Sequence, residues 1–320
     1  HGVIAVKGGE VSPRDIERAL DAAKAVAIPL DREVIHILPQ EYIVDDQRGI
    51  ADPMGMAGVR LEVKVHIVTG AVTSAQNIVR SCHKSGLDVS DIVLESLASA
   101  KAVLTEEERE IGVALIDLGG GTCDIAIFAN DSIKHTGVLA LGGQNLTNDI
   151  AFGLRTPMAA AEKIKIKHGA AIAEMVRPDE YIEVPSVGGR EPRRLSRQVL
   201  AEICEPRMEE ILTLLDQELV RSGLKNMIGA GVVLTGGTAL IQGCQELGEQ
   251  VFNLPTRIGY PRNVGGLKDM VNSPKFATAM GLLRFGAEKE GMEQKFRIRS
   301  DGNVFNSILS RMKKWFSEIS

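Results

Sequence analysis

The sequence lacks the features that mark zinc-binding, membrane-spanning and nucleic-acid-binding proteins. It has four cysteines and no Cys-x-x-Cys pair, which excludes a zinc ribbon or a dithiol redox motif and suits a reducing cytoplasm. No apolar run reaches the roughly 20 residues that a transmembrane helix needs, and no signal peptide is visible. The net charge of −5 argues against a general nucleic-acid binder, so no nucleic-acid partner is expected.

Two common nucleotide-binding motifs are also absent. No Gly-x-x-x-x-Gly-Lys-Ser/Thr occurs, which excludes a P-loop. The main glycine-rich segment is followed by a predicted strand, whereas the dinucleotide-binding fingerprint opens a helix. The 320 residues, 44% of them hydrophobic and 25% charged, are enough for two or more globular domains.

That glycine-rich segment, residues 117–124, is the centre of the sequence. Apolar or alternating flanks at 112–118 and 123–129 predict a strand-turn-strand hairpin. Its backbone N–H groups can point at one anion because no side chain blocks the approach, and flanking carboxylates suit a hydrated Mg²⁺. The alternative is a hairpin that merely needs glycine. The candidate phosphate-binding residues are Gly119, Gly120, Gly121 and Thr122, and the candidate metal-binding residues are Asp117 and Asp124.

Further glycines mark two other turns. Gly236, Gly237 and Thr238 lie between a predicted strand, 231–234, and a predicted helix, 239–252. Such a turn presents free N–H groups at the positive end of a helix, so the two glycine-rich turns together predict one nucleotide held between them. Gly142 and Gly143 open another predicted helix, where a ligand contact and a plain turn explain the glycines equally well.

Composition and periodicity divide the chain into five predicted regions. These are a small α+β unit at 1–88, an α/β core at 89–155 and 230–286, an inserted outer subdomain at 156–229, a flexible linker at 287–303, and an amphipathic helix at 304–320. Because the chain begins at His1 without Met, inside a predicted strand, we expect it to be a fragment. In the first unit, His36 and His66 are expected to be ordinary strand residues, since no third ligand lies at useful spacing.

Local patterns also predict individual elements within these regions. Residues 34–38 are predicted as one strand and Pro39 as the approach to another, with a loop at 49–58, a strand at 92–94, a helix at 95–104 and an acidic link at 105–110. Glu162 and Lys165 share a helix face and suit a solvated ion pair. Arg190, Arg193, Arg194 and Arg197 form a local basic cluster.

The end of the chain has a strong amphipathic pattern. At 100° per residue, its apolar side chains fall within an arc of about 140°, with basic residues opposite. This helix could belong to a core, but its position after a predicted linker and its basic face favour binding to an anionic membrane surface. The predicted membrane-contacting residues are Phe305, Ile308, Leu309, Arg311, Met312, Lys313, Lys314, Trp315 and Phe316.

Several segments together resemble the FtsA family, the actin-like bacterial cell-division proteins. The glycine hairpin is shared across the wider superfamily of actin, sugar kinases and chaperone ATPases. More specific to FtsA are the Pro-Gln-Glu-Tyr unit at 39–42, the Val-Pro-Ser-Val-Gly-Gly-Arg segment at 184–190, and the terminal amphipathic helix. Also similar to FtsA are residues 49–60, 200–207 and 234–237.

The resemblance implies an α/β actin-like ATPase fold with an incomplete first domain, an FtsA-specific α+β subdomain and a C-terminal amphipathic helix. It implies ATP and Mg²⁺ in a cleft between domains, head-to-tail self-association into filaments, and contacts with the FtsZ C-terminal peptide and other divisome proteins. It places the protein at the division site, peripherally on the cytoplasmic face of the bacterial inner membrane. Glu162 and Lys165 would flank the adenosine, and Gly236, Gly237 and Thr238 would line the nucleotide.

Two departures from the superfamily pattern affect the predicted catalysis. The superfamily's N-terminal phosphate-binding hairpin should precede His1, so this chain is expected to hold part of the pocket. FtsA proteins are at most weak ATPases, and Glu95 is the one candidate for a water-positioning acid, with a structural acid at a helix start as the alternative. The competing hypotheses are an actin-like membrane protein of the pilus-assembly type and a catalytic actin-superfamily ATPase or kinase.

Overall fold

The computed structural model describes residues 1–188, 190–263 and 271–300. Its strands form an antiparallel sheet of four, a mixed sheet of five and a hairpin of two. The strands are β1 Gly2–Ala5, β2 Arg32–Val44, β3 Gln47–Ile50, β4 Arg60–Ala71, β5 Val113–Leu118, β6 Cys123–Ala129, β7 Ser132–Leu139, β8 Tyr181–Val184, β9 Arg193–Ser196, β10 Val232–Thr235 and β11 Thr256–Ile258. The α-helices are α1 Pro13–Lys24, α2 Val72–Lys84, α3 Glu95–Val103, α4 Glu106–Ile111, α5 Gly143–Gly153, α6 Met158–His168, α7 Arg197–Arg221, α8 Cys244–Phe252 and α9 Ala277–Ser300.

The N-terminal sheet has the order β1-β4-β2-β3 and packs against α1. Ser12 begins α1 with a capping box in which Asp15 completes the reciprocal hydrogen bonds. The two strands predicted on either side of Pro39 are one continuous strand, β2, so that prediction was wrong. The pairing register with β4 shifts between Pro39 and Glu41, and this irregularity accommodates a residue that has no N–H to donate. The strand β3 also occupies the first two residues of the predicted loop at 49–58.

The N-terminal sheet contacts the larger sheet through polar side chains. Gln40 Nε2 donates to the carbonyl oxygens of Ile133 and Lys134 on β7, at 2.9 and 3.2 Å. Nearby, His66 Nε2 and Thr136 Oγ1 lie 2.9 Å apart. The side chain of Gln40, within the Pro-Gln-Glu-Tyr unit, therefore joins the two sheets.

The five-stranded sheet has the order β11-β10-β5-β6-β7, with β10 parallel to β5 and the hairpin β5-β6 antiparallel. The predicted hairpin is confirmed. Since β5 and β10 are parallel neighbours, with Thr235 opposite Asp117, the glycine-rich turns that follow them meet at one edge of the sheet.

Alternation along β5 divides the core between the two faces of this sheet. Ala114, Ile116 and Leu118 belong to a cluster with α5, α7 and α8, which also includes residues of the predicted inserted subdomain. Val113 and Leu115 belong to a second cluster with α3 and α9. Asp117 has the same parity as Val113 and Leu115, which places its carboxylate on the side of α3 and α9.

Four other predicted elements differ in the structure. Residues 92–94 pair with no strand among the described residues, because an apolar triplet indicates burial but does not supply a partner. The predicted acidic link contains helix α4, which a Thr105–Glu108 capping box begins. The helix that was predicted to begin at Ala239 begins at Cys244. Helix α9 continues through residues 287–300, which were predicted to be part of a flexible linker. In the described part of the chain, no helix is both long and apolar enough to cross a membrane.

Candidate nucleotide and metal site

The turn between β5 and β6 presents backbone N–H groups to solvent. Gly119 N–H donates to Thr122 O at 3.0 Å and closes the turn. Gly120, Gly121 and Thr122 are exposed, and within the described ranges their N–H groups donate to no backbone carbonyl. A Cβ at Gly120 or Gly121 would meet nothing within 4 Å, and neither residue has a positive φ. Folding therefore does not require glycine at these two positions, which favours a role in admitting a ligand.

The second glycine-rich turn lies directly against the first. Thr238 Oγ1 donates to Gly119 O at 2.9 Å. Gly236 has a φ of 88°, and a Cβ there would collide with Asp117 Oδ1 and Leu118 O, so only glycine fits. The predicted helix start at this turn was wrong: Thr238–Leu240 is a short 3₁₀ turn, and α8 begins later, after the left-handed Gly243. The expected helix N-terminus is therefore absent from the turn itself.

The start of α5 supports the first turn from beneath. Gly143 N–H donates to Gly119 O at 3.0 Å, and Gln144 N–H donates to Gly120 O at 2.7 Å. A Cβ at Gly142 would lie 2.7 Å from Gly120 O. Close packing thus explains the glycine pair, and these helix N–H groups are already occupied. Because α5 binds the carbonyl oxygens of Gly119 and Gly120, the N–H groups of the turn face away from α5.

Lys165 and Glu162 belong to a partly buried polar network under α5. Lys165 is buried, and its Nζ donates to Glu162 Oε2 at 2.7 Å, to Thr147 Oγ1 at 2.9 Å and to Gly143 O at 3.0 Å. Thr147 also hydrogen-bonds Glu162. Burial opposes ionisation of Glu162, but the hydrogen bonds from Lys165 and Thr147 outweigh it and lower the pKa of this carboxyl. The predicted solvated ion pair is thus half-buried and continuous with the two turns.

Three acidic side chains meet at the other side of the turns. Burial raises the pKa of Asp117, and burial together with the charge of Asp117 raises the pKa of Asp124. Glu95 is an exposed residue, but its carboxyl group lies partly among protein atoms. That burial, and then the charges of Asp117 and Asp124, raise the pKa of Glu95. Asp117 Oδ2 accepts hydrogen bonds from Ser99 Oγ at 2.6 Å and from Thr278 Oγ1 at 3.3 Å.

This acidic cluster fits a hydrated divalent cation better than a directly ligated metal. Among the described residues, none of the three acids forms an ion pair, so their negative charge is uncompensated. No group of three or more His, Cys, Asp or Glu there is arranged to hold a metal ion directly. Mg²⁺ commonly keeps several waters and uses one or two carboxylates beside phosphate oxygens, and this arrangement offers such carboxylates next to an anion-binding turn.

Sequence comparisons identify the family. Residues 114–281 match the family described as Cell division protein FtsA, and residues 1–69 match the SHS2 domain inserted in FTSA. A cell division protein FtsA from Pseudomonas aeruginosa is 50% identical over 321 residues, which cover 98% of this chain and 76% of that protein. The chain belongs to the FtsA family of cell division proteins.

Solved structures agree with the actin-like fold that the FtsA resemblance implied. MreB5 of Spiroplasma citri bound to ADP has a TM-score of 0.56 at 21% identity, over 70% of this chain and 68% of that one. The PilM-PilN type IV pilus biogenesis complex has a TM-score of 0.58 at 16% identity, over 88% of this chain and 75% of that one. The predicted α/β actin-like fold is confirmed.

The structure brings most of the predicted FtsA-family site together and adds residues that the sequence did not reveal. The glycine turns, the Glu162–Lys165 pair and the three acids are contiguous, as described above. The missed residues are Thr147, Ser99 and Thr278. Ser99 lies one helical turn after Glu95, a spacing that places both on one helix face and offered a usable signal. The predicted membrane residues 305–316 lie outside the described residues.

Proposed function

We propose that this FtsA-family protein binds ATP with Mg²⁺ between its two glycine-rich turns, self-associates into filaments on the cytoplasmic membrane, and anchors FtsZ there. The observation that carries nucleotide binding is the exposed Gly120–Gly121 backbone, where neither conformation nor packing requires glycine. The acids beside it, which form no ion pair in the described part of the chain, support the cation. That MreB5 of the same fold is bound to ADP agrees with this proposal.

Each part of the site has a role in this proposal. The N–H groups of Gly120, Gly121 and Thr122 bind phosphate oxygens. Asp117 and Asp124 hold the hydration shell of Mg²⁺, which when bound neutralises phosphate charge. Glu162 and Lys165 flank the adenosine, at the end of the network under α5. Glu95 orients a water for slow hydrolysis.

Calorimetry with ATP, in Mg²⁺ and in EDTA, tests this function on the purified chain. We expect binding that Mg²⁺ strengthens. A Gly121→Val variant should lose most of this binding, because the branched side chain covers the exposed N–H groups, while its melting temperature should change little, because nothing lies within 4 Å of its Cβ. Equal affinity in the variant would remove the turn from the site.

The proposed FtsZ-binding surface is the subdomain at 156–229. The four arginines of the predicted basic cluster differ in how many contacts their side chains make within the protein. Arg193 hydrogen-bonds Leu154 O, and Arg197 donates to His168 O at 2.8 Å and pairs with Glu180 at 2.5 Å. Arg194 stacks over the ring of Tyr181, 4.3 Å from its centroid, and Arg190 is exposed. Arg190 and Arg194 are therefore better placed than the other two to meet an acidic peptide.

Charge reversal at the arginines tests this surface. We expect Arg194→Glu to weaken binding of the FtsZ C-terminal peptide several-fold and to reduce its salt dependence, since a favourable charge becomes repulsive. Arg193→Glu should also weaken binding, but with a fall in melting temperature because Arg193 holds Leu154. Fluorescence anisotropy of a labelled peptide measures the affinity, with Arg14→Glu, an exposed site on α1, as the matched control. Unchanged affinity in both variants removes these arginines from the interface.

In this proposal the amphipathic helix predicted at 304–320 attaches the protein to the membrane. The surfaces of the assembled filament contact other divisome proteins. From Lys295 to Ser320 the sequence has six basic and two acidic side chains, which favours an anionic lipid surface. One such helix binds weakly by itself, so a filament that presents many of them gains avidity. Polymerisation and peripheral localisation at the division site are coupled in this way.

A further inference from the structure

Two hydroxyl groups from different helices meet on one oxygen of Asp117. Ser99 on α3 donates to Asp117 Oδ2 at 2.6 Å, and Thr278 on α9 donates to the same atom at 3.3 Å. The two hydroxyl oxygens lie 2.9 Å apart. Asp117 is 4% exposed and Ser99 is fully buried, so this contact is inside the protein.

These contacts fix the direction of the Asp117 carboxylate. With Oδ2 held by the two hydroxyls, Oδ1 faces the second glycine-rich turn, where it would collide with a Cβ on Gly236. The carboxylate therefore cannot rotate freely between the two turns. A carboxylate that supports a cation site needs this kind of outer hydrogen bonding to keep one orientation.

Thr278 also lies close to a second acid, Glu95, which is the first residue of α3 and precedes Ser99 by one helical turn. Burial and the charges of Asp117 and Asp124 raise the pKa of Glu95, and the Thr278 hydroxyl opposes this shift. Because the single hydroxyl hydrogen of Thr278 is donated to Asp117, Asp117 is the acid that this threonine orients.

We propose that Ser99 and Thr278 are positioning residues that hold Asp117 in the orientation needed to bind one hydrated divalent cation beside the nucleotide phosphates. This inference deepens the proposed function and rests on it. It also makes α9, distant in sequence from the glycine hairpin, a part of the cation site.

The test compares variants at Thr278 that differ in the hydroxyl. Thr278→Val keeps the branched shape and removes the hydroxyl, whereas Thr278→Ser keeps the hydroxyl. We expect Thr278→Val to lower the affinity for ATP in Mg²⁺ by about tenfold, in line with losses seen for residues behind metal ligands, and to leave the affinity in EDTA unchanged. Thr278→Ser should bind within about twofold of the unmodified chain, and Ser99→Ala should behave like Thr278→Val.

Two outcomes overturn the inference. In the first, Mg²⁺ strengthens ATP binding by Thr278→Val as much as it does in the unmodified chain. In the second, Thr278→Val loses the same ATP affinity in Mg²⁺ and in EDTA, which indicates a merely structural role. Thr213→Val, at a half-buried threonine on α7, controls for the loss of a helix hydroxyl elsewhere. If the unmodified chain binds no ATP, the proposed function fails. Mn²⁺ titration followed by EPR then decides the inference: weaker binding in Thr278→Val with recovery in Thr278→Ser supports it, and equal binding overturns it.

Discussion

Replacing Asp117 with alanine or asparagine is expected to abolish the Mg²⁺ dependence of ATP binding. The carboxylate lies between the two glycine-rich turns and is buried without a cationic partner in the described part of the chain. Interactions with a charged group contribute about 1.5–3 kcal/mol, so the affinity in Mg²⁺ should fall by about 10- to 100-fold. The affinity in EDTA should stay close to that of the unmodified chain. Calorimetry in the two buffers measures both values.

Asp117→Asn should increase the stability of the protein without ligand, although it weakens ATP binding. Burial raises the pKa of Asp117, so ionisation at neutral pH disfavours the folded state, and stability falls as the pH rises through that pKa. Asp117→Asn removes this penalty while keeping the shape, so its melting temperature without ligand should rise and should depend less on pH. Asp131→Asn, an exposed site at the β6–β7 turn with a φ of 53° that asparagine tolerates, is the matched control. A retained Mg²⁺ effect in Asp117→Asn would show that this aspartate is structural alone.

Deleting residues 304–320 is expected to release the protein from anionic membranes. Each large apolar side chain on this predicted helix contributes on the order of 1 kcal/mol or more when buried in the interface. Each basic residue adds roughly 1 kcal/mol near anionic lipid, and less at high salt. Liposome co-sedimentation at low and high salt measures the loss.

A point substitution separates membrane insertion from a general effect of the tail. Trp315→Glu places a charge within the apolar arc and should reduce lipid binding nearly as much as the deletion, with ATP binding unchanged. Ser317→Glu introduces the same charge on the polar face and is the matched control. If the deletion leaves lipid binding unchanged, the helix packs within the protein and the anchor hypothesis is wrong.

Local sequence patterns predicted the parts of the fold that local physics determines. A mostly apolar run at 112–118 and alternation at 123–129 predicted the hairpin and its glycine turn. The same reasoning was wrong at 92–94, since an apolar triplet does not reveal whether a partner strand lies beside it. It also missed α4, where three glutamates looked like a solvated link although they follow a threonine cap. These two errors concern a strand that would need a distant partner and a helix that depends on a capping bond.

The site was predictable to the extent that its residues occur in motifs. The glycine turns and their aspartates are contiguous in sequence, whereas Glu162 and Lys165 came from family resemblance alone. Thr278 lies 161 residues from Asp117, and no periodicity relates the two. Close packing of Gly142 and Gly143 against the hairpin carbonyls was also unpredictable, because a sequence does not show which backbone lies opposite a glycine.

Gln40 has a consequence for how copies of this protein can assemble. Among the described residues, β7 is an outer strand of its sheet, and free carbonyl and N–H groups on an outer strand can pair with a strand of another molecule. The amide of Gln40 occupies the carbonyl oxygens of Ile133 and Lys134, and the opposite outer strand, β11, is three residues long. Pairing with a strand of another copy is thereby disfavoured near the start of β7, and β11 offers only a short edge for such pairing. The filaments proposed above would therefore form through contacts between side-chain surfaces rather than by pairing of sheet edges.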